Sequence, residues 1–208
     1  MKSENVYGKV KFCVFAIAFL VLAIADGVLT YIASPDLSKE GNPLVTIWGA
    51  GWIVLLVVGV VGFALYTAAV YYVFVRYRRN VIQCDGFKQY MSMLYFDRPD
   101  KFIWTLYKMP QRKSPAYSFL LANTCFAFAT SFILARIVVV VEWILYLNAR
   151  IFLYRYAQYF RNNLPFQRVD VWVFIVSCIV LMIYWHYREY RINKTVLLGS
   201  DIKYLRSS

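Results

Sequence analysis

The segment FCVFAIAFLVLAIADGVLTYIA, residues 12–33, holds a single charged side chain, Asp26, in an otherwise apolar run. About 20 consecutive apolar residues are enough to cross the hydrocarbon core of a bilayer as an α-helix. The segment therefore predicts a transmembrane helix. Lys9 and Lys11 stand just before it, in the position that basic residues commonly take at the end of a span.

Three further apolar blocks cover about residues 45–75, 117–147 and 171–185. Hydrophobic residues make up 61% of the chain, against about 45–50% in a soluble domain. Backbone groups in lipid must be satisfied within the chain, and no barrel-like alternation is present, so helices are expected. We predict an all-α integral membrane protein with four transmembrane helices in one membrane domain. The long second and third helices should tilt or project from the bilayer.

Two alternatives concern this division into spans. Ala23-Ile24-Ala25 resembles the cleavage site of a signal peptide, but the apolar run continues beyond it, which favours a retained helix. Three spans with a re-entrant segment would place the basic residues differently. Four spans remain the main prediction.

The distribution of basic residues predicts the orientation. The net charge is +12, and nine Lys and Arg residues lie between positions 76 and 113, whereas the connection 34–44 has only Lys39. Cytoplasmic loops carry the excess of Lys and Arg, so both termini and the middle connection are expected at the cytoplasmic face of an inner membrane. Anionic lipid headgroups are the expected partner of these cations. No helix-turn-helix or zinc-finger spacing indicates nucleic acid.

Two connecting segments are rich in aromatic as well as basic residues. In residues 84–115, Phe, Tyr, Trp and Met alternate with basic side chains, which is typical of a segment lying in the membrane interface. Residues 148–163 carry Arg and Tyr on the expected outer side, and we interpret them as an interfacial segment or a helical extension.

Cysteine and histidine give no sign of a metal site or cofactor. The four cysteines, Cys13, Cys84, Cys125 and Cys178, form no CxxC pair, and His186 is the only histidine. We therefore expect no disulfide framework, no metal and no cofactor.

Asp26 is the residue that needs an explanation. An ionisable group inside a span is costly, so it should face protein or water and have a partner, and Thr30 lies one turn further on the same face. Glu40, Asn42 and Pro43 follow in the connection. Asn followed by Pro is a typical helix start, and Glu is favoured near a helix N-terminus.

The third span contributes two more charged residues, Arg136 and Glu142. They lie about 120° apart around the helix and do not pair with each other. Arg136 is expected at a depth similar to that of Asp26, so we predict an ion pair between them. On the second span, Gly51, Gly59, Gly62 and Ala69 fall within about 80° of arc, which predicts a helix-packing face.

The order Asp26, Thr30, Glu40, Asn42, Pro43 resembles a prokaryotic family of small polytopic membrane proteins of unknown function. That family has a D-x-x-x-T pattern late in one span and an E-x-N-P pattern at the start of the next. The resemblance covers residues 17–60 and implies a prokaryotic membrane location. It implies no activity.

Three functions are compatible with these features. The first is a non-enzymatic scaffold or accessory subunit, with a membrane-protein partner or a second copy. The second is an intramembrane enzyme or lipid-handling protein that uses Asp26 and Glu40. The third is a small transporter or channel with Asp26 on the path. Because no catalytic motif is present, the first is favoured.

Overall fold

The computed structural model describes residues 2–38, 42–98, 115–148, 155, 159, 162–163 and 168–205. All of its regular elements are helices: α1 (Lys2–Ala33), α2 (Pro43–Thr46), α3 (Trp52–Tyr71) with a π-helical turn (Tyr72–Arg76), α4 (Phe87–Phe96), α5 (Pro115–Leu147) and α6 (Val169–Leu205).

Four of these helices are long and apolar enough to cross a membrane, which confirms the predicted fold class. The spans are Val6–Ala33, Trp52–Arg76, Ala116–Leu147 and Val169–Leu197. The last helix is much longer than the predicted span 171–185. Its 37 residues extend over about 55 Å, well beyond a hydrocarbon core of about 30 Å.

The second span also begins later than predicted. The chain forms the short helix α2, turns at residues 47–51, and enters α3 only at Trp52. Gly49 has φ +63°, a left-handed conformation that glycine adopts without steric cost, and it ends α2.

Contacts between aromatic rings of different helices show the relative directions of those helices. Phe19 of α1 lies 5.4 Å from Phe132 of α5 and 4.2 Å from Tyr66 of α3, measured between ring centroids. Further along, Phe74 and Phe126 are neighbours, as are Phe126 and Trp185. Helices α1 and α5 therefore run parallel, and α3 and α6 run antiparallel to them. This places the start of α1 and the later part of α6 at one end of the bundle, called here the termini end. The opposite end is called the loop end.

The glycines of the predicted helix-packing face of α3 contact no other helix of the chain in the part that the structure describes. A Cβ atom built on Gly51, Gly59 or Gly62 would meet nothing within 4 Å. The buried face of α3 is formed instead by the large side chains Tyr66 and Val70. These set the distance to α1 and α5, so small residues are not brought into contact. Ala69 is half-buried beside this face.

Among the glycines whose surroundings the structure describes, Gly8 is the one that requires close packing. A Cβ atom on Gly8 would lie 2.2 Å from the carbonyl oxygen of Phe74, in the π-helical turn that ends α3. No side chain can occupy that space without moving one of the two helices. Gly8 thus allows α1 and the end of α3 to touch at the termini end.

Part of the segment predicted to lie in the membrane interface, helix α4, belongs to the hydrophobic core. Helix α4 buries Tyr90, Met91, Leu94 and Tyr95, which pack with residues of α5 and α6. Its aromatic side chains thus face protein, because α5 and α6 project far enough to receive them. Residues 99–114, and most of 148–163, lie outside the described residues.

Replacing Gly8 by Ala is expected to destabilise the protein by about 1–3 kcal/mol, as overpacking does in a filled core. The matched variant Gly59→Ala places the same methyl group in open space and should leave stability unchanged or slightly raised. Thermal unfolding in detergent checks both. Equal melting temperatures for the two variants would contradict the close contact at Gly8.

Candidate functional site

Asp26 and Arg136 form an ion pair between α1 and α5. Arg136 Nη1 donates a hydrogen bond to Asp26 Oδ2, and the guanidinium lies 5.3 Å from the centre of the Phe132 ring. The Asp26 side chain is 15% exposed and that of Arg136 34%. The pairing predicted from the sequence is confirmed.

The pair lies toward the loop end of the bundle, inside both spans. Asp26 is about 10 Å along the axis from the end of α1 at Ala33, at 1.5 Å per residue. At this depth each charge neutralises the other. Neither is left unpaired in hydrocarbon, where an isolated charge is costly. The Arg136 guanidinium therefore holds the Asp26 carboxylate in place as its counterion.

The other sequence-predicted polar residues are dispersed around this pair. Thr30 is buried one turn beyond Asp26 on α1. Asn42 accepts a hydrogen bond from the Leu44 backbone N–H at 3.0 Å through Oδ1, which confirms the predicted helix start. Glu142 is half-buried on α5, six residues beyond Arg136. Glu40 lies outside the described residues.

The connection after α1 is a compact turn held by Asp36. Its Oδ1 accepts hydrogen bonds from Ser34 Oγ at 3.2 Å and from the Ser38 backbone and hydroxyl groups at 3.2 and 2.9 Å. The bonds from Ser38, above all, lower the pKa of the Asp36 carboxyl group. Trp52 Nε1 donates to the Pro35 carbonyl at 2.8 Å and ties the turn to α3.

A second polar group, absent from the sequence predictions, lies at the termini end. Its members are His186, Glu189 and Asn193, on one face of α6. At 100° per residue they fall within about 60° of arc, and the Trp185 ring is buried beside them. This group is called here the α6 polar face.

His186 joins three helices. Its Nδ1 lies 2.7 Å from the Met182 carbonyl, which can only accept, so Nδ1 carries the proton. Nε2 is then an acceptor and takes the hydrogen bond of the Tyr95 hydroxyl at 2.8 Å. Asn123 of α5 lies beside the same ring and donates from Nδ2 to the Met182 carbonyl at 3.4 Å, since a protonated Nδ1 cannot accept. Burial raises the pKa of Tyr95, which keeps its hydroxyl a donor.

Glu189 is a buried carboxylate, 3% exposed, whose Oε2 accepts from Arg79 Nε at 2.9 Å. The Arg188 guanidinium stacks on Trp185 at 4.8 Å and approaches Glu189 Oε1 to 3.7 Å. Burial first, and the Glu189 charge second, raise the pKa of Tyr77. Two arginines thus share one carboxylate at this point.

Asn193 holds residues 77–86, which connect α3 to α4 and are called here the connector. Its Oδ1 accepts from the Ile82 backbone N–H at 2.8 Å, and its Nδ2 donates to the Ile82 carbonyl at 2.7 Å. Residues 77–84 have no helix or strand of their own. One amide side chain therefore replaces the backbone partner that a neighbouring strand would give Ile82.

The composition of the two polar groups differs from that of a metal site. Within the described part of the chain, no three or more His, Cys, Asp or Glu side chains converge as a metal would require. Burial raises the pKa of the Cys84 thiol, which disfavours the nucleophilic thiolate. What the contacts do is join helices: α1 to α5 by an ion pair, and α6 to α4, α5 and the connector by hydrogen bonds.

The sequence held a signal for the α6 polar face. In "HYREYRIN", His186, Glu189 and Asn193 recur at intervals of three and four residues, the spacing of one helix face. The apolar block ends near Trp185, so these residues resemble a solvated tail. Their burial depends on α4 and the connector folding back onto α6, a contact between segments about 110 residues apart.

Comparison of the chain with protein-family models, with curated proteins and with solved structures finds no match.

Replacing Asn193 by Leu should leave the Ile82 N–H and C=O without partners in a buried place. The expected loss of stability is about 2–4 kcal/mol, since each unsatisfied buried group costs about 1–3 kcal/mol. Asn193→Asp keeps the acceptor and should lose less. Hydrogen exchange at the Ile82 amide, with Thr195→Val as an exposed control on the same helix, is the measurement. Unchanged protection of Ile82 in Asn193→Leu would contradict this role.

Proposed function

We propose that this chain is a non-enzymatic polytopic membrane protein, a scaffold or accessory subunit that packs against another membrane protein. The proposal rests on the first half of α3, whose apolar side chains are exposed. Ile53, Leu56 and Val60 are 79%, 67% and 70% exposed, and Gly59 faces open space. The chain leaves this part of a span largely uncovered by its own helices.

A partner helix suits this surface because it offers both small and large apolar residues. In lipid, helices associate through close packing, and glycines let the backbones approach. Gly59 and Gly62 are open in the structure, although they lie on the side of α3 that the sequence assigned to packing. The partner, rather than the chain's own bundle, is proposed to fill that side. A transmembrane helix of another protein or of a second copy meets this requirement.

The ion pair of Asp26 supports the same proposal. The enzyme and transport hypotheses both need a carboxylate that can exchange protons or bind an ion. Asp26 is instead engaged by Arg136 across two helices. This is the arrangement expected of a structural contact in a packing protein.

The proposed location is the cytoplasmic membrane of a prokaryote, with the termini end toward the cytoplasm. Support comes from the cations near the ends of the spans on that side, among them Arg76, Arg78 and Arg191. Basic residues are retained on the cytoplasmic side during insertion.

Photo-crosslinking in native membranes tests the proposal. A crosslinking residue at Leu56 or Val60 of α3 is expected to capture an integral membrane protein or a second copy. The matched control is Val180 or Ile183 of α6, which are also exposed and apolar, at 57% and 67%. They should give lipid adducts only.

The variant Gly59→Leu makes this test specific. It should abolish the protein crosslink by blocking the close approach, while the melting temperature of the purified chain stays unchanged. Lipid adducts alone at both α3 positions, or a crosslink unaffected by Gly59→Leu, would contradict the proposal.

A further inference from the structure

The start of α1 and the end of α3 form a seam at the termini end. Gly8 touches the Phe74 carbonyl group there, and the Phe12 and Tyr71 rings meet edge to face at 5.8 Å. This contact brings basic residues from two distant parts of the sequence to one place. Lys11 follows Gly8 by one turn, and Arg76 follows Phe74 by two residues.

Four cations lie at or near this seam: Lys9, Lys11, Arg76 and Arg78. None of them forms an ion pair with a carboxylate whose side chain the structure describes. Arg79, Arg136, Arg168 and Arg188 all do. Those four arginines are neutralised within the chain, whereas the cations of the seam keep their positive charge.

Arg78 lies in the non-helical backbone after the π-helical turn, between two residues that face α6. Tyr77 and Arg79 face α6, where they contact Trp185 and Glu189. Arg78, between them, forms no ion pair with a described carboxylate of α6. It is exposed, as is Arg76.

An apolar surface adjoins these cations on the membrane side. The span of α3 ends at Arg76 and that of α1 begins at Val6, so the seam lies at the membrane boundary. Lys11 Nζ stands 4.3 Å from the centre of the Tyr7 ring. Val14, three residues further into the span, and Tyr71 are 58% and 49% exposed.

We propose that this seam binds the phosphate-bearing headgroup of an anionic phospholipid, with its acyl chains lying along Val14 and Tyr71. Lys11, Arg76 and Arg78 supply the positive charge. A phospholipid fits because the cations lie at the membrane boundary and the apolar surface lies next to them on the membrane side. A lipid places its headgroup and its acyl chains in the same order. A free phosphate ion would use the cations but not the apolar surface. The inference stands independently of the partner proposed for α3.

A lipid titration of the full-length protein in neutral detergent tests the seam. Phosphatidylglycerol is expected to raise the melting temperature saturably. Phosphatidylcholine with the same acyl chains, and inorganic phosphate at equal concentration, should not. The double variant Arg76→Gln/Arg78→Gln should weaken the apparent affinity for phosphatidylglycerol by about 25-fold, taking about five-fold for each cation removed near a membrane surface.

The matched control is Arg191→Gln/Lys194→Gln, which removes two exposed charges from α6 at the same end of the bundle. It should retain nearly the wild-type affinity. An equal loss in the two double variants would mean diffuse attraction and overturn the site. Stabilisation by phosphatidylcholine or by inorganic phosphate alone would overturn it as well. Native mass spectrometry of retained lipid gives the same comparison if a variant melts at a changed temperature.

Discussion

An ionisable side chain inside a bilayer has to be paired or exposed to water, and this requirement shapes the bundle at the level of Asp26. The carboxylate on α1 finds Arg136 on α5, and the contact fixes the relative position of the two helices along their axes. With that position set, Phe19 and Phe132 stack near the middle of the bundle and Tyr66 of α3 closes the group. The ion pair therefore does more than neutralise two charges, since it selects the register in which the aromatic core forms.

The two ends of the bundle satisfy their polar groups in different ways. At the loop end, Asp36 and Trp52 hold a short turn, and the polar contacts stay local. At the termini end, a long connection has to return from α3 to α5, and its extended backbone needs partners. The α6 polar face supplies them because α6 continues far past the membrane. The first half of α3 receives no such cover, and this is the surface proposed for a partner.

The sequence predicted those features that depend on one segment at a time. The length and apolar character of the blocks gave four helices, and the Asn42-Pro43 pair gave a helix start. The Asp26–Arg136 pair was also predictable, because two costly charges at similar depth leave few alternatives. Other features that depend on how segments meet were missed. The packing side of α3 was set by Tyr66 rather than by glycines, Gly8 was recognised only through its contact with Phe74, and the burial of Glu189 required Arg79 to return from the connector.

The rest of the bundle depends on Asp26 and Arg136 acting as one structural unit. A double-mutant cycle with Asp26→Asn, Arg136→Gln and the double variant tests it most directly, read out as the free energy of unfolding in detergent. Breaking a buried pair typically costs about 3–5 kcal/mol, and the partial exposure of Arg136 places the expected single losses at or below the lower end of that range. The double variant is expected to lose at least about 1 kcal/mol less than the sum of the single losses, because neither charge is left alone. Strictly additive losses would show that the two residues act independently and would contradict this expectation.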